Sequence, residues 1–401
     1  MAGSVPASVR SVAPVSDPLV PFQRPEPPEP EAIMAYYERS RQEGFYSNGG
    51  PNARLLTDRL ADYVGGGAFA IPVGNATVGL MVALRAACGM ASGERRLIVT
   101  PSYTFTATAC AIEWAGFEPV FVDIERRGWH MDPVALEAAF ERFPGQIAGV
   151  LACATFGTAP PAEQRAAWRE LCDAHGVPLL IDSAPGFGSR DADGAALGGL
   201  GDTEIFSFHA TKPFSVGEGG LITTADADLA ARIARMINFG LEPGTRLSTD
   251  IGMNAKLSEL HSAAALAMLD QIDDVVAKRQ GNAARLRDAI GPDTNVLYQA
   301  GAERSTWQIF HVLCPTPEMR DRCVELAPSH GIEVRTMHDP ALHTHPAFES
   351  ARRLALPVTD AAAARALALP MANTLSGDAI ERIAGLVHAA RALPSRKALA
   401  C

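Results

Sequence analysis

Residues 206 to 220, FSFHATKPFSVGEGG, set one lysine, Lys212, between a strand-like run and a glycine-rich turn, and a second strand-like run, GGLITT, follows directly. A lysine in such a pocket can carry a Schiff base, because burial favours its neutral, nucleophilic amine. A lysine without context is ordinarily a solvated surface charge. Here the context argues otherwise. About 30 residues upstream, PLLIDSAPGFG ends an apolar run on Asp182 and continues with small residues. Such a run reads as a buried parallel strand. An acid at the C-terminal end of that strand stands where open α/β sheets bind ligands. A lysine to hold an aldehyde and a carboxylate to keep a pyridine nitrogen protonated are the two parts that pyridoxal phosphate chemistry requires.

Both side chains need a scaffold, and the flanking sequence supplies one. LIVTP, PVFVDI, AGVLACAT, PLLID, EIFSFH and GGLITT are short apolar runs, with helical stretches at 102–115, 132–142 and 161–175 between the first four. This alternation predicts an α/β fold, a mostly parallel sheet covered by helices on both faces. Beyond about residue 270 the pattern changes. A long helix through DDVVAKRQGNAARLRDAI, weaker strands in WQIFHVLCP and GIEVRT and a final helix over 376–392 predict a smaller α+β domain. The alanine-rich DAAAARALAL reads as helix. At the other end, VPFQRPEPPEPEA holds five prolines, so residues 1–30 read as a disordered tip and an extended arm, with helix from about Ala32. The expected division is an arm over 1–30, a large cofactor-binding domain over 31–270 and a small C-terminal domain over 271–401.

Composition narrows the function classes. The 401 residues contain 35 Lys+Arg against 45 Asp+Glu, a formal charge of −10, and 47% are hydrophobic, enough for sizeable cores. No basic face for nucleic acid is indicated. The seven cysteines (Cys88, Cys110, Cys153, Cys172, Cys314, Cys323, Cys401) show no C-x-x-C pair, so neither a zinc site nor a disulfide framework is expected. No run reaches a membrane span, and no compact signal pattern opens the chain. A soluble, cytoplasmic protein without a metal is the expectation.

In order and spacing, NATVGLMVAL (75–84), PSYTFTATACAIEWAGFEPVFVDIE (101–125), IDSAPGFG (181–188), FSFHATKPFSVGEGG, GMNAKLSELHSAAAL (252–266), DPALH (339–343) and LALPM (367–371) resemble the DegT/DnrJ/EryC1/StrS aminotransferases. These are fold-type-I pyridoxal phosphate enzymes that act mostly on nucleotide-linked keto sugars. The resemblance implies pyridoxal 5'-phosphate as cofactor, Lys212 and Asp182 as catalytic residues, and a phosphate site at Ala76, Thr77 and Ser207. It implies a ring stacked on Phe105, and Asn254 reaching the phosphate of a neighbouring subunit in a homodimer. Lys256 could meet a substrate phosphate or be an ordinary exposed lysine.

Three positions bear on the reaction. Ala76 replaces a family glycine without removing a donor. Pro185 stands where glutamine or histidine is usual and offers no side-chain donor. Lys212 stands where the dehydrating branch has histidine, which favours transamination. Glutamate or glutamine is the expected amino donor, and a nucleotide-linked 4-keto-6-deoxy sugar the expected acceptor. A cyclitol or other non-nucleotide ketone would keep the same chemistry, a lyase or dehydratase would handle protons differently, and a non-catalytic binding protein on this fold would need neither Asp182 nor Lys212.

Overall fold

The computed structural model describes residues 19–392, so the expectation for the tip lies outside the described residues up to 18. Residues 19–29 are extended and run along the C-terminal part of the chain. There Val20 exchanges backbone hydrogen bonds with Gly331 and Glu333, and Gln23 bridges Met371. Helix begins at Pro30, where proline fits a first turn whose N–H groups have no partner in any case.

Helices α1 (Pro30–Glu43) and α2 (Pro51–Val64) lead into β1 (Phe69–Val73) and α3 (Ala76–Cys88). Strand and helix then alternate through β2 (Leu97–Pro101), α4 (Thr106–Trp114), β3 (Glu118–Val122), α5 (Pro133–Arg142), β4 (Ile147–Cys153), α6 (Ala162–His175) and β5 (Leu179–Asp182). β6 (Thr203–Ser207), β7 (Gly220–Thr224), α7 (Ala227–Met236) and α8 (Glu259–Leu269) close the first part. The second part holds α9 (Ile272–Ile290), β8 (Leu297–Tyr298), β9 (Phe310–Leu313), α10 (Pro317–Leu326), β10 (Arg352–Arg353), α11 (Pro357–Ala363), β11 (Ala366–Leu369) and α12 (Gly377–Ala392).

Eight strands form one sheet in the order β1-β7-β6-β5-β4-β2-β3-β10. From β10 to β6 all neighbours are parallel, and β7 and β1 continue it with antiparallel pairings. The strands are buried on both faces: Leu179 and Ile181 join one apolar cluster, and Leu180 between them joins another. That is why these strands read as continuous apolar runs. The chain leaves β2 for β3 on one side and returns to β4 on the other. At such a reversal a crevice opens beyond the C-terminal strand ends.

The second sheet, β11-β9-β8, is antiparallel and packs on α9, α10 and α12 around Phe310, Val312, Leu367 and Leu369. Helix α9 serves both cores, with Ile272, Val275 and Val276 in the first and Leu286 and Ile290 in the second. Two local expectations need correction. DAAAARALAL is helix only to Ala363; Ala366–Leu369 is strand, because Leu367 and Leu369 fill the second core and that burial outweighs alanine's helix preference. GIEVRT forms no strand, only isolated bridges from Ile332 to Val20 and from Arg335 to Ala368. β1 is an additional strand at the sheet edge, where Pro72 is tolerated.

Candidate active site

Asp182 is the last residue of β5, and strand register places it beside Cys153 of β4 and Ile205 of β6. Its buried carboxylate accepts hydrogen bonds from the Thr108 hydroxyl (2.8 Å, at Oδ2) and the Ala184 N–H (3.0 Å, at Oδ1). Burial pushes the carboxyl above its ordinary range, and those two donors and the Lys212 charge pull it back.

Lys212 sits in the loop between β6 and β7. Because β7 turns back antiparallel to β6, that loop stays at the C-terminal end of the parallel strands, where Asp182 ends β5. Bonds from Ala210 N to Gly217 O (2.8 Å) and from Lys212 N to His209 O (2.8 Å) hold it in a tight form. The Lys212 Nζ donates to Gln308 Oε1 at 3.1 Å. Desolvation lowers the ammonium to about 8, with Asp182 opposing the shift. About a tenth of this amine is therefore neutral at pH 7, far more than of a surface lysine.

The phosphate-binding expectation falls at the start of α3. Asn75 does cap this helix, its Oδ1 accepting from Val78 N at 2.9 Å and its carbonyl from Gly79 N at 3.0 Å. Capping leaves the first-turn N–H groups of Ala76 and Thr77 and the Thr77 hydroxyl, since an N-terminal turn has no carbonyls behind it. Gly220 brings this turn to the sheet. A Cβ there would lie 2.8 Å from Ala76 N and 2.9 Å from Phe206 O. Gly220 pairs with Ser207, the last residue of β6, so Ser207, Ala76 and Thr77 share one corner. The Ser207 hydroxyl accepts from His209 N at 3.3 Å, leaving its own hydrogen to donate.

Phe105 precedes α4 and is 61% exposed, although the same turn carries the buried Thr108 to Asp182. Asn254 is exposed in an extended segment bridged to Asn238, and its side chain has no hydrogen-bond partner among the described residues. Helix α8 starts only at Glu259, so Asn254 lies before it, not at its start. Lys256 is not a free surface charge. Its Nζ donates to Asn238 Oδ1 at 2.8 Å and lies 5.0 Å from the Phe239 ring centre, and burial lowers its pKa. Pro185 offers only its carbonyl, which accepts from the Thr306 hydroxyl at 2.7 Å.

Three residues that sequence reasoning did not single out belong to this site. Thr108 holds Asp182, and Gln308 holds Lys212. His338, at φ +59°, packs against the rings of both Phe156 and Tyr103, 5.0 Å from each, with no hydrogen-bond partner among the described residues. Burial and the Lys212 charge lower its imidazole to about 3, so it is neutral. Thr108 stands three residues after Phe105, a spacing that puts both on one helical turn. Gln308 and His338 lie in the second part of the chain, and no local pattern links them to Lys212.

This donor set fits pyridoxal phosphate. A buried carboxylate suits a ring nitrogen, a desolvated amine suits an aldehyde, and N–H and hydroxyl donors gather at a helix start for a dianion. Residues 28–388 match the model of the DegT/DnrJ/EryC1/StrS aminotransferase family. The dTDP-4-amino-4,6-dideoxy-D-glucose transaminase of Shigella dysenteriae is 28% identical over 381 residues, which cover 91% of this chain and 97% of that one. Among solved structures, a Bacillus cereus chain described as a PLP-dependent aminotransferase superposes with a TM-score of 0.86 at 29% identity, covering 92% of this chain and 100% of that one. DesI, solved in the presence of its TDP-sugar product, gives 0.85 at 32% identity, with 94% of each chain covered. The chain belongs to the DegT/DnrJ/EryC1/StrS aminotransferase family and is a pyridoxal phosphate-dependent aminotransferase.

Proposed function

We propose that the enzyme transfers the amino group of glutamate or glutamine to a nucleotide-linked 4-keto-6-deoxy sugar, working as a homodimer with shared active sites. The pairing of a desolvated Lys212 amine with the buried Asp182 carboxylate carries the reaction type. The likeness to DesI and to the Shigella transaminase supports the substrate class.

Bound pyridoxal phosphate supplies an aldehyde that takes up the amino group and an electron-withdrawing ring that makes the adjacent C–H acidic. Asp182 holds the proton on the ring nitrogen. The exposed Phe105 would cover one face of the ring and limit water there. Ala76, Thr77 and Ser207 anchor the phosphate from one subunit, and Asn254 from the other. The Lys212 amine would be the base that holds and moves a proton at Nζ. Gln308 accepts from that nitrogen at 3.1 Å and would orient it. His338 is neutral and unpartnered, suited to a substrate hydroxyl, which both donates and accepts.

Incubating the holoenzyme with glutamate and dTDP-4-keto-6-deoxyglucose should release 2-oxoglutarate and an aminated sugar nucleotide. Turnover with a keto-cyclitol and none with any sugar nucleotide would overturn the substrate class. It would leave transamination intact.

A further inference from the structure

Behind Asp182 runs a chain of small polar groups with no part in the reaction so far described. The Cys153 thiol donates to Thr104 Oγ1 at 3.2 Å, Thr104 Oγ1 lies 3.0 Å from Thr108 Oγ1, and Thr108 Oγ1 donates to Asp182 Oδ2 at 2.8 Å. All four residues are buried, and they come from different elements: the loop after β2, the first turns of α4, and the ends of β4 and β5. The order of donors is forced. A carboxylate only accepts, so the Thr108 hydrogen is committed to it. The Thr108 oxygen must then accept from Thr104, and the Thr104 oxygen from the thiol. Each link polarises the next toward the carboxylate.

We propose that Thr108, backed by Thr104 and Cys153, is a positioning residue that fixes the direction in which Asp182 presents its carboxylate to the ligand. With Oδ2 held by Thr108 and Oδ1 by Ala184 N–H, the carboxyl plane is pinned from two sides and its remaining lone pairs have one orientation. The groups bearing on Asp182 are Thr108 from α4, the Ala184 N–H from its own strand end, the Cys153 thiol from β4 and the Lys212 charge from the β6–β7 loop. Burial raises the Asp182 pKa, and Thr108 is the largest force against that rise. Removing the hydroxyl raises the pKa further, so Asp182 protonates at a higher pH and loses its hold on the ring nitrogen there.

This inference rests on Asp182 being the ring-nitrogen partner, and the test separates the two. The dissociation constant of pyridoxal phosphate is measured against pH by fluorescence titration of the wild type, Thr108→Val, Thr108→Ser and Asp182→Asn. Thr108→Val should bind the cofactor roughly tenfold or more weakly. Its loss of binding on acidification should begin at a higher pH than in the wild type. Thr108→Ser should restore both. Thr104→Val should show the same shift in smaller measure, and serves if Thr108→Val fails to fold. A folded Thr108→Val with the wild-type pH curve would overturn the role of Thr108 alone. A wild-type curve in Asp182→Asn would remove the reading of Asp182, and that of Thr108 with it.

Discussion

An amine that loses its proton near pH 8 reacts with aldehydes where a surface lysine, near 10.4, is almost wholly protonated. Capture of pyridoxal phosphate by the apoenzyme should therefore quicken as pH rises and reach half its maximal rate near pH 8. A midpoint near 10 would show that Lys212 is not desolvated. Asp182→Asn should fold normally and lose on the order of a thousandfold in turnover, because a neutral amide cannot hold the ring proton. Near-normal steady-state rates in this variant would assign the proton to another group. Lys212 and Asp182 were legible because each stands at the junction of an apolar run and small residues. Gln308 and His338 were not, since their contacts depend on how the second sheet folds back on the first.

Elements place these residues only if their own buried polar groups are satisfied. Glu259, at the start of α8, accepts from the Ser40 hydroxyl (2.8 Å) and from the N–H groups of Asn52 and Ala53 (2.9 Å each), joining α1, α2 and α8. Glu259→Ala would strand those donors, and it should destabilise the fold by about 3 kcal/mol or more. A chemical-denaturation midpoint unchanged from wild type would contradict that. The strands from β2 to β7 were readable because burial on both faces makes apolar runs. The turn after Ala363 was not, because only the second core, through Leu367 and Leu369, converts an alanine-rich segment into strand. Local sequence does not record that demand.

At the scale of the molecule, Asn254 is bridged to Asn238, next in sequence to the exposed Phe239, and follows the exposed Met253 and Ile251, the last at 78% exposure. Such a surface suits contact with a second copy. If Asn254 completes the neighbour's phosphate site, Lys212→Ala and Asn254→Ala chains mixed into heterodimers give one site with both defects and one with none. Activity of the mixture should recover to about a quarter of wild type. A mixture no more active than its two parents, or a native mass of monomer only, would place the whole site within one chain. The extended arm, packed on the second part of the chain, and α9, which serves both cores, showed in the sequence only as prolines and as a long polar-apolar helix. Their contacts, such as Arg279 to Glu26 at 3.5 Å, join residues too far apart in sequence for local patterns to pair them.

The most direct measurement is the address of the cofactor. Borohydride reduction of the yellow holoenzyme, followed by proteolysis and mass spectrometry, should find the pyridoxyl phosphate mass on the peptide containing Lys212 and nowhere else. A label on Lys256, Lys278 or any other lysine, with Lys212 unmodified, would contradict the site described above.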